Sequence, residues 1–307
     1  MTLQIRFYLI IRRLVFISGI LLFSSSSLAA IVNNNHLYQK VQQIALQVQA
    51  IRAQQQLPTL EPEPQIVADK LASHLVFKTQ QIGRLAAALQ QKMSLPVTSS
   101  LAVAYSVMRP RNVLPYLDQV EQQLAAVAKH LALPEGPELE RPLGMTENDV
   151  YQQLVVIEQL FEGLIEPQTV SAMSADLALI RGDLQLISEA KNLPLQLGSL
   201  GQYHDRQMTD VNILAYQSLY LIERLFRQLD IEPSKPDRLP VGESSIEAVR
   251  DTSILIRAEL HRGKTILKIE QDSQVMDPLL LSDANQSYAA FIQLRDGLLS
   301  MLGAPAL

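Results

Sequence analysis

Apolar residues along this chain recur at alternating steps of three and four, the spacing that lines them up on one stripe of a helix. Leu37, Val41, Ile44, Val48 and Ile51 make the first stripe, and Leu117, Val120, Leu124, Val127 and Leu131 make another. Val150, Leu154, Ile157, Phe161 and Leu164 follow the same rule, as do Met173, Leu177, Ile180, Leu184 and Ile187. No stretch sustains the period-two alternation of a half-buried strand. The pattern predicts an all-α chain of about eight helices, at roughly 34–56, 67–94, 110–132, 147–165, 170–192, 209–230, 244–262 and 284–302, with boundaries good to about two to four residues.

Helix ends are marked chemically. Proline cannot continue a helix and restricts the residue before it, and Leu57-Pro58, Leu95-Pro96, Leu133-Pro134, Glu166-Pro167, Leu193-Pro194 and Glu232-Pro233 close the stripes. Gly263 and Gly303 are expected to end the last two helices in the left-handed conformation. Thr146 with Asp149, and Ser244 with Glu247, have the spacing of a capping box.

An internal likeness joins Tyr151 to Pro167 (YQQLVVIEQLFEGLIEP) with Tyr216 to Pro233 (YQSLYLIERLFRQLDIEP), and the same opening recurs at Tyr38. Helices taken in pairs end at Pro96, Pro167, Pro233 and Gly303, spaced 71, 66 and 70 residues apart. A hairpin unit of about 70 residues is therefore expected four times, longer than the short helix-pair solenoids. The expected architecture is four antiparallel hairpins, packed as two four-helix bundles or as a short stack of hairpins. Hairpins 1 and 2 would occupy residues 30–167, and hairpins 3 and 4 residues 168–307.

The first thirty residues change the compartment. Arg6, Arg12 and Arg13 precede an apolar run from Leu14 to Phe23, and Ser27-Leu28-Ala29 supplies small residues for cleavage. This is a secretory signal peptide, expected at 1–29, and its run falls short of the about 20 apolar residues that a span needs. Export places the mature chain in the periplasm of a Gram-negative-type envelope, with secretion as the alternative and no stable membrane insertion after cleavage. The leader holds three of the 26 basic residues and none of the 31 acidic ones, so the mature charge is 23 minus 31, or −8. Such a chain has no general attraction for nucleic acid or anionic lipid. It has no cysteine, which removes disulfides, thiolate metal sites and lipoprotein anchors.

Candidate chemistry is sparse. No two of His36, His74, His130, His204 and His261 lie three or four residues apart, so helical metal-ligand pairs are absent and no metal or other cofactor is expected. Glu243-Ser244 is similar to the opening of the lytic transglycosylase signature, but the glycine-rich segment of that family does not follow. Serine-hydrolase elbows and phosphate-cradling glycine loops are missing. Tyr38, Tyr151 and Tyr216, each opening an apolar stripe, are the candidates for lining a ligand pocket between helices. His204, in the polar run Tyr203-His204-Asp205-Arg206, is a further candidate. Glu158 and Glu223, matched in the two copies, read as exposed partners of Arg or Lys. The expectation is a non-enzymatic periplasmic module that binds a protein partner or itself through helix faces. The alternative is a bundle that binds a small ligand or senses one.

Overall fold

The computed structural model describes residues 32–62, 67–166, 170–236, 242–273 and 279–304; the leader lies outside them. Eight helices and no strand are present among these residues. They are α1 (Asn34–Gln54), α2 (Ala72–Lys92), α3 (Pro110–His130), α4 (Glu147–Leu160), α5 (Val170–Lys191), α6 (Met208–Gln228), α7 (Ile246–Ile266) and α8 (Ala284–Met301). Asn34 to Leu307 make up one compact unit. No described helix is long and apolar enough to cross a membrane.

Helix contacts divide the eight into two rings. In the first, α1 touches α3 and α4, and α2 touches the same two; in the second, α5 touches α7 and α8, as does α6. The sequential pairs in contact are thus α2–α3 and α6–α7, while α1 and α2 face each other diagonally, as do α5 and α6.

The direction of the helices follows from matched contacts. Lys70 meets Asn148, Lys78 and Gln81 meet Glu158, and Lys92 reaches the Leu164 carbonyl, so α2 and α4 run the same way. Asn35 with Met145 and Arg52 with Leu160 give the same result for α1 and α4. In the second ring Asp176 pairs with Arg257 and Asp183 with Lys264 between α5 and α7. Thr209 meets Ser244, and Phe226 abuts Gly263, between α6 and α7. The helices of a ring are therefore parallel, where antiparallel hairpins were expected, and the fully described connections after α2 and α5 carry the chain back along the ring before the next helix starts. About 17 extended residues reach some 55 Å, against about 31 Å for a 21-residue helix, so the return has ample length. Thr98, Ser99, Leu101 and Ala102 run down α3 past Gln123, Gln119 and Tyr116. Pro194, Gly198 and Arg206 run down α8 past Ser300, Gln293 and Asn285.

This arrangement replaces the 70-residue unit with a shorter one. Helices begin at 34, 72, 110 and 147, then at 170, 208, 246 and 284, a spacing of 38 residues within each ring (37 at the third step). The ends keep the same spacing. Gln56, Ser94 and Ala132, then Asn192, Asp230 and Lys268, all have positive φ. After each, the next residue donates its N–H back across the final turn, Leu57 to Arg52, Leu95 to Gln90, Leu133 to Ala128, Leu193 to Ser188, Ile231 to Phe226 and Ile269 to Lys264. This is the Schellman ending. Gly303 serves α8 as expected, but the left-handed residue that closes α7 is Lys268, and Gly263 lies inside the helix. Thr146 caps α4 with its box to Asp149, whereas Ser245, not Ser244, caps α7.

Core positions obey the 38-residue rule too. Leu37, Val41, Ile44, Val48 and Ile51 return in α2 as Leu75, Thr79, Ile82, Ala86 and Leu89, all buried. Their steps of four and three are those of a coiled coil, and with the helices parallel each ring stacks same-depth layers. In the second ring the small Ala215 and Ser253 share their position with Phe291, which balances volume within the layer.

Candidate functional site in the seam between the rings

Among the described residues the helices of the two rings whose backbones come close are α2 and α7. They run antiparallel: His74 meets Glu259, and Lys78 meets Asp251. The two rings therefore point in opposite directions. α2 and α7 must each bury a second stripe, and that stripe is mixed. Phe77, Ile254 and Ala258 form its apolar centre with Val103 packed against them, and ionisable side chains surround it.

Lys78 is wholly buried; its ammonium donates to Asp251 at 2.6 Å and to Glu158 of α4, which also accepts from Gln81. Burial works against the charge of Lys78, but Asp251 and Glu158 outweigh it and hold its pKa up. Burial and the Asp251 charge raise Glu158 to about 7, with Lys78 opposing. Glu158 is thus a buried group of the seam, not the exposed partner expected; Glu223 does pair with Arg227 on one helix face, at 2.5 Å.

At the other end of the α2–α7 contact His74 Nε2 lies 2.7 Å from Glu259, which Arg262 also binds. Burial pushes Glu259 up, yet the hydrogen bonds and charges of His74 and Arg262 prevail and hold it at about 2. Lys264, fully buried, donates to Asp183 at 2.7 Å and to the Tyr105 hydroxyl at 3.2 Å. Tyr105 belongs to the return between α2 and α3, so this network ties a first-ring connection to the second ring. Tyr105 stacks on His261 at 4.8 Å, and burial lowers His261 to about 4, with Lys264 and Arg257 adding to it and Asp183 opposing. Ser273 donates to Asp183 and lies 3.4 Å from Lys264.

Two clefts open at the ends of the seam. One, about 660 Å³, lies between the starts of α2 and α4 and the end of α7; Lys70, Asn148, Glu232, Lys235 and Arg262 are on its walls. His74 and Glu259 line a smaller hollow that shares Lys70, Ser234 and Lys235 with it. The other, about 530 Å³, lies between the end of α4 and the start of α7 and is acidic, with Glu158, Glu162, Glu166, Glu247 and Asp251. Among the described residues no group of three or more metal-ligating side chains comes together.

The four residues singled out from sequence are spread over both rings. Tyr38 and Tyr151 are the fifth residues of α1 and α4, which touch each other, while Tyr216 is buried as the ninth residue of α6 and His204 is exposed in the return before it. None of the four lines either cleft, but the Lys70 ammonium sits 5.0 Å from the centre of the Tyr151 ring. The residues of the seam were missed because in sequence they occupy the outward, polar side of an amphipathic helix. One usable signal is that Lys78, Arg250, Arg257 and Lys264 are cations on stripes interleaved with Phe77, Ile254 and Ala258.

Compared with known protein families, curated proteins and solved structures, the chain matches none.

Proposed function

We propose that the mature chain is a non-enzymatic binding module of the periplasm that takes a small polar ligand in the cleft between its rings. The observation that carries this reading is the 660 Å³ cleft itself, whose wall sets Lys70, Lys235 and Arg262 against Asp69, Glu147 and Glu232. Charges of both signs around a cleft of ligand size suit a small zwitterion or polar metabolite. A thermal-shift screen of such compounds tests it: a saturable rise in melting temperature, lost in Lys235→Glu, supports the reading. A panel of amino acids, small peptides and polyamines that leaves the melting temperature unmoved, or a response unchanged in Lys235→Glu, refutes it.

A second reading, docking of a protein partner or of another copy, is favoured by a different observation. The returns between helices expose large apolar side chains, Val97, Leu101, Val107, Leu143 and Leu200. Capture of a defined envelope protein by the mature chain, abolished by Val107→Asp together with Leu101→Asp, supports it; unchanged capture speaks against it.

A further inference from the structure

Midway along the seam, three guanidinium groups surround one carboxylate. Asp176 of α5 is buried, and Arg257 Nη1 donates to its Oδ1 at 2.8 Å. Arg84 Nη1 lies 3.5 Å from the same oxygen and Arg250 Nε lies 3.6 Å from Oδ2. Charged N–H···O bonds run about 2.7–2.9 Å, so the second and third contacts are ion pairs longer than a hydrogen bond. Asp176 Oδ2 and the Nε atoms of Arg84, Arg250 and Arg257 are buried without a hydrogen-bond partner. Three unpaired donors and one unpaired acceptor among four side chains in ionic contact ask for an explanation, since a buried polar atom left unpaired is costly.

Donors outnumber acceptors here, three unpaired Nε–H groups against the one unpaired oxygen of Asp176. Glu158 lies near enough to favour the charge of Arg84, but its oxygens are engaged by Lys78 and Gln81. Asp251 is likewise held by Lys78. With Lys78 included, four cations face the three carboxylates Asp176, Glu158 and Asp251. Burial, followed by the repulsion of Arg250 and Arg257, weakens the hold of Arg84 on its proton. A water molecule would offer an acceptor but no charge.

We propose that Arg84, Arg250 and Arg257, arranged around Asp176, form a binding site for a small tetrahedral oxyanion of the phosphate type. Planar guanidinium forks match phosphate oxygens two at a time. Asp176 orients Arg257, Arg250 is the buried floor, and the Arg84 side chain, 37% exposed, marks the way in. None of these four residues is on the wall of either cleft, so the site does not rest on the ligand reading above.

The test is thermal unfolding of the purified mature chain with inorganic phosphate titrated at fixed pH, chloride keeping the ionic strength constant. A saturable rise in melting temperature is expected, with apparent affinity weakened roughly tenfold or more in Arg84→Gln and lost in Arg250→Gln. Arg227→Gln, on an exposed face of α6, should respond as the wild type does and absorbs the general stabilising effect of phosphate. Glycerol phosphate is run beside inorganic phosphate: a response to both marks a phosphorylated small molecule as the source, and a response to inorganic phosphate alone marks the free ion. Absence of any rise beyond the chloride control, or an undiminished rise in Arg84→Gln, overturns the proposal. Should Arg250→Gln fail to fold, the partly exposed Arg84 decides the matter.

Discussion

Replacing Lys78 by methionine removes the one cation that binds two seam carboxylates while keeping a side chain of similar length. Lys78 has no exposed surface, and the side chains of Glu158 and Asp251 are 8% and 19% exposed. Deleting one partner of a buried pair costs about 3–5 kcal/mol, because the remaining charge stays desolvated. Here two carboxylates are left, but Asp251 reaches water, so the loss falls mainly on Glu158. That group sits at about 7 even with Lys78 beside it, and without the ammonium it moves higher. An acid whose folded pKa is raised binds more protons when folded than when unfolded, so its penalty shrinks as pH falls. The expected result from urea unfolding followed by far-UV circular dichroism is a loss of about 3–5 kcal/mol at about pH 7.5 and a clearly smaller one at about pH 5.5. Adding Glu158→Gln to Lys78→Met should recover part of the loss near neutrality. A cost under about 1 kcal/mol at both pH values, or an equal cost at both, would refute the view that this ion pair is buried between the rings.

Three further outcomes follow from the fold and the seam. Ala132 has φ of 53° at an exposed helix end, so Ala132→Gly should stabilise by up to about 1 kcal/mol, read as a higher calorimetric melting temperature; no gain would speak against the Schellman ending there. A methyl group on Gly263 would lie 2.5 Å from the Phe226 ring, so Gly263→Ala should cost about 1–3 kcal/mol in the same measurement, and a neutral result would contradict the α6–α7 packing. His261, lowered to about 4 from 6.5, is neutral in the fold; its contribution is complete above about pH 6.5 and is lost as pH falls toward 4, by at most ~3 kcal/mol. His261→Phe should flatten that acid limb in a series of melts across pH, while Glu259, held at about 2, still weakens the fold below about 4.5. An acid limb as steep as in the wild type would rule out His261 as its source.

Helix number and the inward stripes were legible in the sequence because steps of three and four appear locally, as at Leu37 to Ile51. The longer rule was on view as well, since Pro58, Pro96 and Pro134 lie 38 residues apart, but taking helices two at a time doubled and blurred it. A shortened α4, ending near Gly163, breaks the spacing between the rings and adds to the blur. Direction was not legible. Turn chemistry at Leu57-Pro58 or Leu95-Pro96 marks where a helix stops but not whether the chain folds back at once or travels the length of the ring first. The likeness of Tyr151 and Tyr216 misled for a related reason: it matches the fifth residue of one helix to the ninth of another, one turn out of register. The seam escaped because Lys78 or Arg250 in isolation resembles any solvated helix cation, and only the packing of one ring on the other buries it.

Because the chain has no cysteine, spin labels can be placed at will, and distances between them report helix direction. Ala53 and Lys129 are exposed near the ends of α1 and α3, and Arg111 is exposed near the start of α3. With neighbouring axes about 8–10 Å apart and a rise of about 1.5 Å per residue, parallel helices put Ala53 roughly 10 Å from Lys129 and roughly 29 Å from Arg111, before label length is added. Electron–electron distance measurement on the two doubly labelled chains should find the Ala53–Lys129 pair much the shorter. The reverse order would mean that α1 and α3 run in opposite directions, and the parallel rings would fall with it.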